Sequence, residues 1–296
     1  MLTALMQLKR AVDSAYELFV ANDVPSPRLN AELLMLFVLG RERSFLYSHP
    51  EYELTADEQS QYEEVTGQRA RGCPTQYITG HQEFWGLDLL VSPAVLIPRP
   101  ETEHVVETVL ELVKGYEVEP RDKLRIVDVG AGSGAIALAL ASELPQAEIH
   151  ACDISEEALE MAAVNAARLA LDKHVRFRKS DLLSAYAGMQ FDFVVSNPPY
   201  VGESEADKVQ KQVREFEPKV AVFSGEEGMD IYRRLVPQAH AALKPGGWFV
   251  AEIGFSAEAK VRELLDTWKE VLVTADLQGI PRVIAARKPP PPAVSR

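Results

Sequence analysis

The sequence predicts an α/β protein: a mainly parallel, seven-stranded sheet with helices on both faces, preceded by a small helical domain and a β-hairpin connector. Three observations carry this. Apolar residues at helical spacing fill the first quarter of the chain, a short strand-like stretch follows, and from Leu124 onward apolar strand runs alternate with helical segments. Such alternation marks a sheet whose strands are joined by crossover helices. A length of 296 residues suits two domains. With 47% apolar and 25% charged residues the composition is ordinary for a globular chain and excludes a disordered, collagenous or coiled-coil one.

Taken in order, Leu5, Leu8, Val12, Ala15, Tyr16 and Phe19 recur at helical spacing. Pro25 and Pro27 interrupt the pattern, and Leu29, Leu33, Leu36 and Phe37 resume it. Thr55 and Glu58 have capping-box form ahead of a polar third helix. Tyr77–Ile78, Phe84–Trp85, Leu87, Leu89–Val91 and Val95–Ile97 read as short strands around Gly80 and Gly86, closed by Pro93, Pro98 and Pro100. Seven strands are then expected at 124–129, 149–153, 175–179, 191–196, 248–253, 271–275 and 283–287. Helices are expected at 133–144, 155–171, 231–243 and 257–269. The tail from Lys288, with Pro289 to Pro292, reads as disordered. The expected division is 1–75 helical, 76–100 connector, 101–288 α/β domain and 289–296 tail.

Several classes are disfavoured. Thirty-one Lys and Arg against 44 Asp and Glu give a net charge of −13, the reverse of a nucleic-acid footprint. No 18-residue apolar run suggests a membrane span, and Lys9, Arg10, Asp13 and Glu17 break up any secretory core. Two cysteines, Cys73 and Cys152, are too few for a disulfide framework, and no His pairs with a Cys at metal spacing. The expectation is a reduced, cytoplasmic protein without a metal.

Three places carry chemistry. The first is Asp128-Val-Gly-Ala-Gly-Ser-Gly-Ala135, between the first parallel strand and its helix. Gly130, Gly132 and Gly134 allow a sharp turn and close approach of a ligand, and the helix N-terminus behind them offers unpaired N–H groups. Asp153 ends the second strand, where an acidic side chain accepts ribose hydroxyls. The loop alone suits either a dinucleotide or S-adenosylmethionine. The second place is Asp181-Leu182 after the third strand: the carboxylate to accept from an adenine amino group, the leucine to pack on the ring. The third and most specific is Asn197-Pro-Pro-Tyr200 after the fourth strand. Two prolines remove two N–H donors and fix the backbone, and Asn197 is held extended before them. The Asn197 oxygen and the Pro198 carbonyl are then two fixed acceptors beside the aromatic face of Tyr200. That arrangement suits a planar NH2 group.

With these motifs the chain resembles the HemK/PrmC family, S-adenosylmethionine-dependent methyltransferases that modify a glutamine amide in class-1 peptide chain release factors. The likeness extends to Gln76-Tyr-Ile-Thr-Gly80, Phe84-Trp-Gly86, Leu96-Ile-Pro-Arg-Pro-Glu-Thr-Glu103, Glu217-Pro218, Gly228-Met-Asp-Ile-Tyr232 and Glu252-Ile-Gly254. It implies a five-helix N-terminal substrate-recognition domain, a hairpin connector and a class I, Rossmann-like methyltransferase domain. It implies cofactor contacts from Gly130, Ala131, Gly132, Ser133, Gly134, Asp153, Leu182 and Asn197, and a glutamine held by Asn197, Pro198, Pro199 and Tyr200. Arg99 and Thr102 would border the cofactor or pack between domains. The Asn-Pro-Pro-Tyr segment is shared with amino-group methyltransferases that act on adenine or on other proteins, so methylation of adenine in nucleic acid, or of another protein's glutamine, stands as the rival. A binding protein for the same cofactor does not need the segment, and a hydride-transfer enzyme lacks a placed acid here. No membrane or nucleic-acid partner is expected. Six of the thirteen excess negative charges fall in residues 76–120, which hold 2 basic and 8 acidic residues. That concentration is an expected attraction for a basic protein segment.

Overall fold

The computed structural model describes residues 6–116 and 123–290. Leu5 and the tail beyond Pro290 therefore lie outside the described residues. The described chain divides between His81 and Gln82 into two compact units, so the division falls inside the 76–100 stretch.

The first unit holds five helices: α1 (Leu8–Ala21), α2 (Pro27–Leu39), α3 (Arg43–Ser48), α4 (Ala56–Ala70) and α5 (Thr75–Thr79). Leu8, Val12, Ala15 and Phe19 of α1 meet Leu34 and Met35 of α2 in a core completed by Leu54 and Tyr62. Thr55 caps α4 as expected: Glu58 N donates to its hydroxyl, and Thr55 N donates to the Glu58 carboxylate. Two expectations change. The short helix α3 was not anticipated, and Tyr77–Ile78 lie in α5 rather than in a strand. Strand-favouring side chains lose there to tertiary context, with Pro74 opening the helix, Gly80 ending it in the left-handed region and Thr75 buried.

A hairpin follows: β1 (His81–Phe84) and β2 (Leu87–Leu90). Trp85 and Gly86 both have positive φ, 55° and 71°, as a two-residue hairpin turn requires. Residues 95–97 are not a strand. Asn165, buried on the later helix Glu156–Arg168, clamps the end of β2: Leu90 N donates to its oxygen, and its amide donates to the carbonyls of Leu90 and Ser133.

The remaining elements are α6 (Glu103–Lys114), β3 (Arg125–Val129), α7 (Ala135–Glu143), β4 (Glu148–Asp153), α8 (Glu156–Arg168), β5 (Val175–Lys179), β6 (Phe191–Ser196), α9 (Lys211–Phe216), α10 (Lys219–Val222), α11 (Asp230–Ala242), β7 (Leu243–Glu252), α12 (Glu258–Leu264), β8 (Lys269–Ala275) and β9 (Pro281–Arg287). Seven strands form one sheet in the order β5-β4-β3-β6-β7-β9-β8, with β9 antiparallel to both neighbours. Both faces are covered, so the central strands β3 and β6 are apolar on both sides rather than alternating, apart from the buried Asp128 and Asp192. Ile126, Ile149, Phe193 and Val250 feed one core; Val127, Val129, Val194 and Phe249 feed the other. Helix α7, Ala135-Ile-Ala-Leu-Ala-Leu-Ala141, is buried along its whole face set. Strand β7 begins at Leu243, which pairs with Phe191, so Pro245 to Gly247 sit in an irregular strand start instead of a helix end. No described helix is long and apolar enough to cross a membrane.

Candidate active site

Sheet register assembles the site. Val129 pairs with Cys152 on one side and with Ser196 on the other, which brings the carboxyl ends of β3, β4 and β6 into one row. The strand order reverses direction at β3, the switch point where α/β sheets open a crevice. A cavity of about 250 Å3 opens there. Gly130, Ala131, Gly132, Ser133, Asp153, Asp181, Leu182, Asn197, Pro198 and Pro199 line it, together with Thr102 and Arg234. Two of the expected residues do not. Gly134 packs instead: a β-carbon there would come within 3.1 Å of Leu138 and 3.2 Å of Ala162. Tyr200 turns its ring to Gly254 and its hydroxyl to Glu252.

The glycine loop holds itself together with its own donors. Gly130 N and Ala131 N donate to the Cys152 carbonyl at 2.8 and 2.9 Å, and Gly134 N donates to Ala131 O at 2.8 Å. These three loop N–H groups are thus spent on the framework. What the loop offers is space. Gly130 and Gly132 have φ of 81° and 54°, and a β-carbon on either would meet nothing within 4 Å. Asp153 ties the loop to β4: Gly132 N donates to its Oδ2 and Ser155 N to its Oδ1, both at 2.9 Å. Each oxygen keeps a further lone pair for a ligand.

Behind the loop, Asp128 is 1% exposed; its Oδ2 accepts from Ala137 N, and its Oδ1 has no partner. Burial, reinforced by the nearby Asp153 carboxylate and opposed by the Ala137 N–H, pushes its carboxyl up to about 7. On the far side, Asp181 forms an ion pair with Arg234 at 2.6 Å, so its carboxylate is already shared. Leu182 sits at φ 50°, a left-handed conformation that is costly for a bulky side chain and recurs at functional sites.

At the end of β6, Asn197 Nδ2 donates to the Thr102 hydroxyl at 3.0 Å. Thr102 Oγ1 donates to Glu252 Oε2 at 2.6 Å, and the Tyr200 hydroxyl donates to Glu252 Oε1 at 3.1 Å. Glu252 is 2% exposed, and burial pushes its carboxyl up to about 7 against those two hydrogen bonds. With Nδ2 committed to Thr102, the amide oxygen of Asn197 is its free end.

Comparison with known proteins gives these residues a context. Residues 10–80 match the PrmC N-terminal domain and residues 112–216 the methyltransferase small domain. A release factor glutamine methyltransferase of Koribacter versatilis is 58% identical over 286 residues, 96% of this chain and 99% of its own. The Escherichia coli protein of that name is 40% identical over 264 residues, 88% of this chain and 92% of its own.

The chain belongs to the release factor glutamine methyltransferase family.

Members of that family are methyltransferases, and this chain is one. Its fold is shared at low identity with the hMettl16 catalytic domain in complex with MAT2A 3'UTR hairpin 6 (TM-score 0.54, 18% identity, 75% of this chain and 81% of that one). A methyltransferase from Pyrococcus furiosus gives a TM-score of 0.50 at 17% identity, over 77% of this chain and 99% of that one.

The motifs behind the resemblance have physical reasons here. In Glu252-Ile-Gly254 the glycine admits the Tyr200 ring, since a β-carbon would stand 3.0 Å from its Cδ2. In Gly228-Met a β-carbon would stand 2.2 Å from the Tyr200 carbonyl. Glu217, buried, accepts from Ile97 N and pairs with Arg99, which fastens the Ile-Pro-Arg-Pro stretch. Arg99 thus does not border the cavity, whereas Thr102 does. Reading the sequence residue by residue missed Arg234 and the linkage from Thr102 through Glu252 to Tyr200. The Pro-Glu-Thr-Glu motif pointed at Thr102 without saying what it touches.

Proposed function

We propose that this enzyme transfers a methyl group from S-adenosylmethionine to the side-chain amide nitrogen of the glutamine in the Gly-Gly-Gln motif of class-1 release factors. The observation that carries the reading is the β6 edge: a cavity lined by Asn197, Pro198 and Pro199, with Asn197 Nδ2 turned away onto Thr102. That leaves the Asn197 oxygen and the Pro198 carbonyl as acceptors, with no N–H from Pro198 or Pro199 to compete.

The residues present fit the cofactor. Asp153 keeps lone pairs for two ribose hydroxyls, Leu182 offers an apolar face for adenine, and Asp181 is the acceptor for its amino group once shared with Arg234. The open side of Gly130, Ala131, Gly132 and Ser133 takes the methionine end. Asp153, on the cavity wall, makes the region favourable to a cation. Bound there, S-adenosylmethionine supplies an electrophilic methyl group on a positively charged sulfur.

The protein's task is to make an amide nitrogen reactive. Its lone pair is delocalised into the carbonyl, so it is a poor nucleophile. Asn197 and Pro198 each accept one N–H, hold the nitrogen in place and stabilise the positive charge that develops on it. Pro199 fixes the turn, and Tyr200 braces it from behind through Glu252. Residues 1–75 recognise the release factor, 76–100 connect, and 101–288 transfer the methyl group, in the cytoplasm where translation factors work.

The rival acceptor, an adenine amino group, presents the same two N–H bonds, but a net charge of −13 disfavours a nucleic acid. Incubation with labelled S-adenosylmethionine, a release factor, the same factor with the motif glutamine changed to alanine, and RNA decides between them. Label on the unaltered factor alone is expected. Label on RNA, or equal label on both factors, overturns the reading.

A further inference from the structure

The pairing of Ser196 with Ala251 sets Asn197 beside Glu252, at adjacent carboxyl ends of β6 and β7. Thr102, 3% exposed, stands between them and bonds to both side chains. A hydroxyl has one proton to give. An ionised Glu252 only accepts, so Thr102 spends its proton there, and its oxygen is left able only to accept. The Asn197 amide has a single way to satisfy that oxygen: Nδ2 toward Thr102, Oδ1 toward the cavity.

We propose that Glu252 is a positioning residue that fixes, through Thr102, which end of the Asn197 amide faces the substrate. This rests on the glutamine reading given above. The proton balance makes the device reversible. A neutral Glu252 with its proton on Oε2 donates to Thr102. The Thr102 proton is then free for the Asn197 oxygen, and the amide turns its NH2 toward the cavity. Two N–H groups then face the two N–H groups of a substrate amide, and the acceptor site is lost. The Tyr200 hydroxyl, donating to Oε1 at 3.1 Å, holds the same carboxylate from the other side. Tyr232 donates to the Glu252 carbonyl at 2.5 Å and keeps the backbone in place.

The other charges facing this carboxyl are Glu101, which opposes its ionisation, and Arg282, which favours it; Arg99 and Arg282 also act on Tyr200. The carboxyl's raised value of about 7 puts the change of state in the neutral range, with the active, ionised form above it.

The test combines kinetics with a readout that needs no turnover. Thr102→Val deletes the hydroxyl at nearly constant volume and is expected to lower kcat by ~100-fold, as loss of one preorganised polar group does. The Kd for S-adenosylmethionine should move by less than about threefold, and Thr102→Ser should recover most of the rate. In Glu252→Gln the kcat should fall, and its rise with pH through the neutral range should disappear. In the ligand-free protein, the 15N-labelled side-chain amide of Asn197, assigned by its loss in Asn197→Asp, should shift with a midpoint near the Glu252 value and stay flat in Glu252→Gln. An unchanged kcat in Thr102→Val, or an amide signal that is flat in the wild type or still titrates in Glu252→Gln, overturns the proposal. Should Glu252→Gln not fold, the Thr102 pair and the wild-type amide titration decide. Should the wild type modify no release factor, the function reading fails while the amide titration still tests the linkage.

Discussion

Asp128→Asn is the sharpest probe of the ground on which the site is built. The carboxyl is fully buried behind the glycine loop with one oxygen unpartnered, and its value moves from 3.8 to about 7. The folded state therefore holds the proton more tightly than the unfolded one, so this residue lowers stability as pH rises from about 4 through about 7. Linkage turns the two values into a penalty of roughly 2 kcal/mol at pH 5 and roughly 4 kcal/mol at pH 8. Asparagine carries no charge and can keep the bond from Ala137 N, so the penalty vanishes in the variant. Its stability relative to the wild type should rise by about 2–3 kcal/mol between pH 5 and pH 8. Urea unfolding followed by tryptophan fluorescence reads this directly, because Trp85, Trp248 and Trp268 all lie in the unit that contains Asp128. Other titrating groups are common to both proteins and cancel in the difference. Parallel pH dependences would refute the assigned environment of Asp128.

Three further outcomes follow from the same geometry. Asp153→Ala removes the acceptor of Gly132 N and Ser155 N and should weaken S-adenosylmethionine binding by at least ~10-fold, read by calorimetry; an unaltered dissociation constant refutes the ribose role. Gly254→Ala places a methyl against the Tyr200 ring and should lower kcat while sparing cofactor affinity; a loss of cofactor binding alone would contradict the bracing role given to Tyr200. Affinity for a release factor should fall as salt rises from about 0.05 to about 0.5 M, because the acidic 76–120 stretch is read as attracting a basic segment; salt-independent affinity removes that reading.

Legibility in the sequence followed the range of the forces involved. β6 was readable to the residue because a strand buried on both faces is apolar along most of its length, and the glycine loop because few other sequences make that turn. Helix α6 was passed over although Val105, Val106 and Val109 bury one face: it lies between a proline-rich stretch and a run of glutamates that reads as surface. Tyr77–Ile78 misled because strand preference is local while the packing that made them helical is not. The Thr102–Glu252 bond spans 150 residues and depends on how the turn before α6 packs against the end of β7, while the register of β6 on β7 sets only Asn197 beside Glu252. Nothing in the local sequence of either residue announces it. Composition likewise could not show that the glycine loop's donors are consumed internally, since that depends on where the Cys152 carbonyl stands.

The central claim is that Asn197 acts on the acceptor amide rather than on the cofactor. Asn197→Ala tests it most directly, by single-turnover methyl transfer to a release factor alongside calorimetry with S-adenosylmethionine. Cofactor affinity within about twofold of the wild type, with transfer slowed by about two orders of magnitude, is the expected result. Transfer at the wild-type rate, or a slow rate explained wholly by lost cofactor binding, would contradict it.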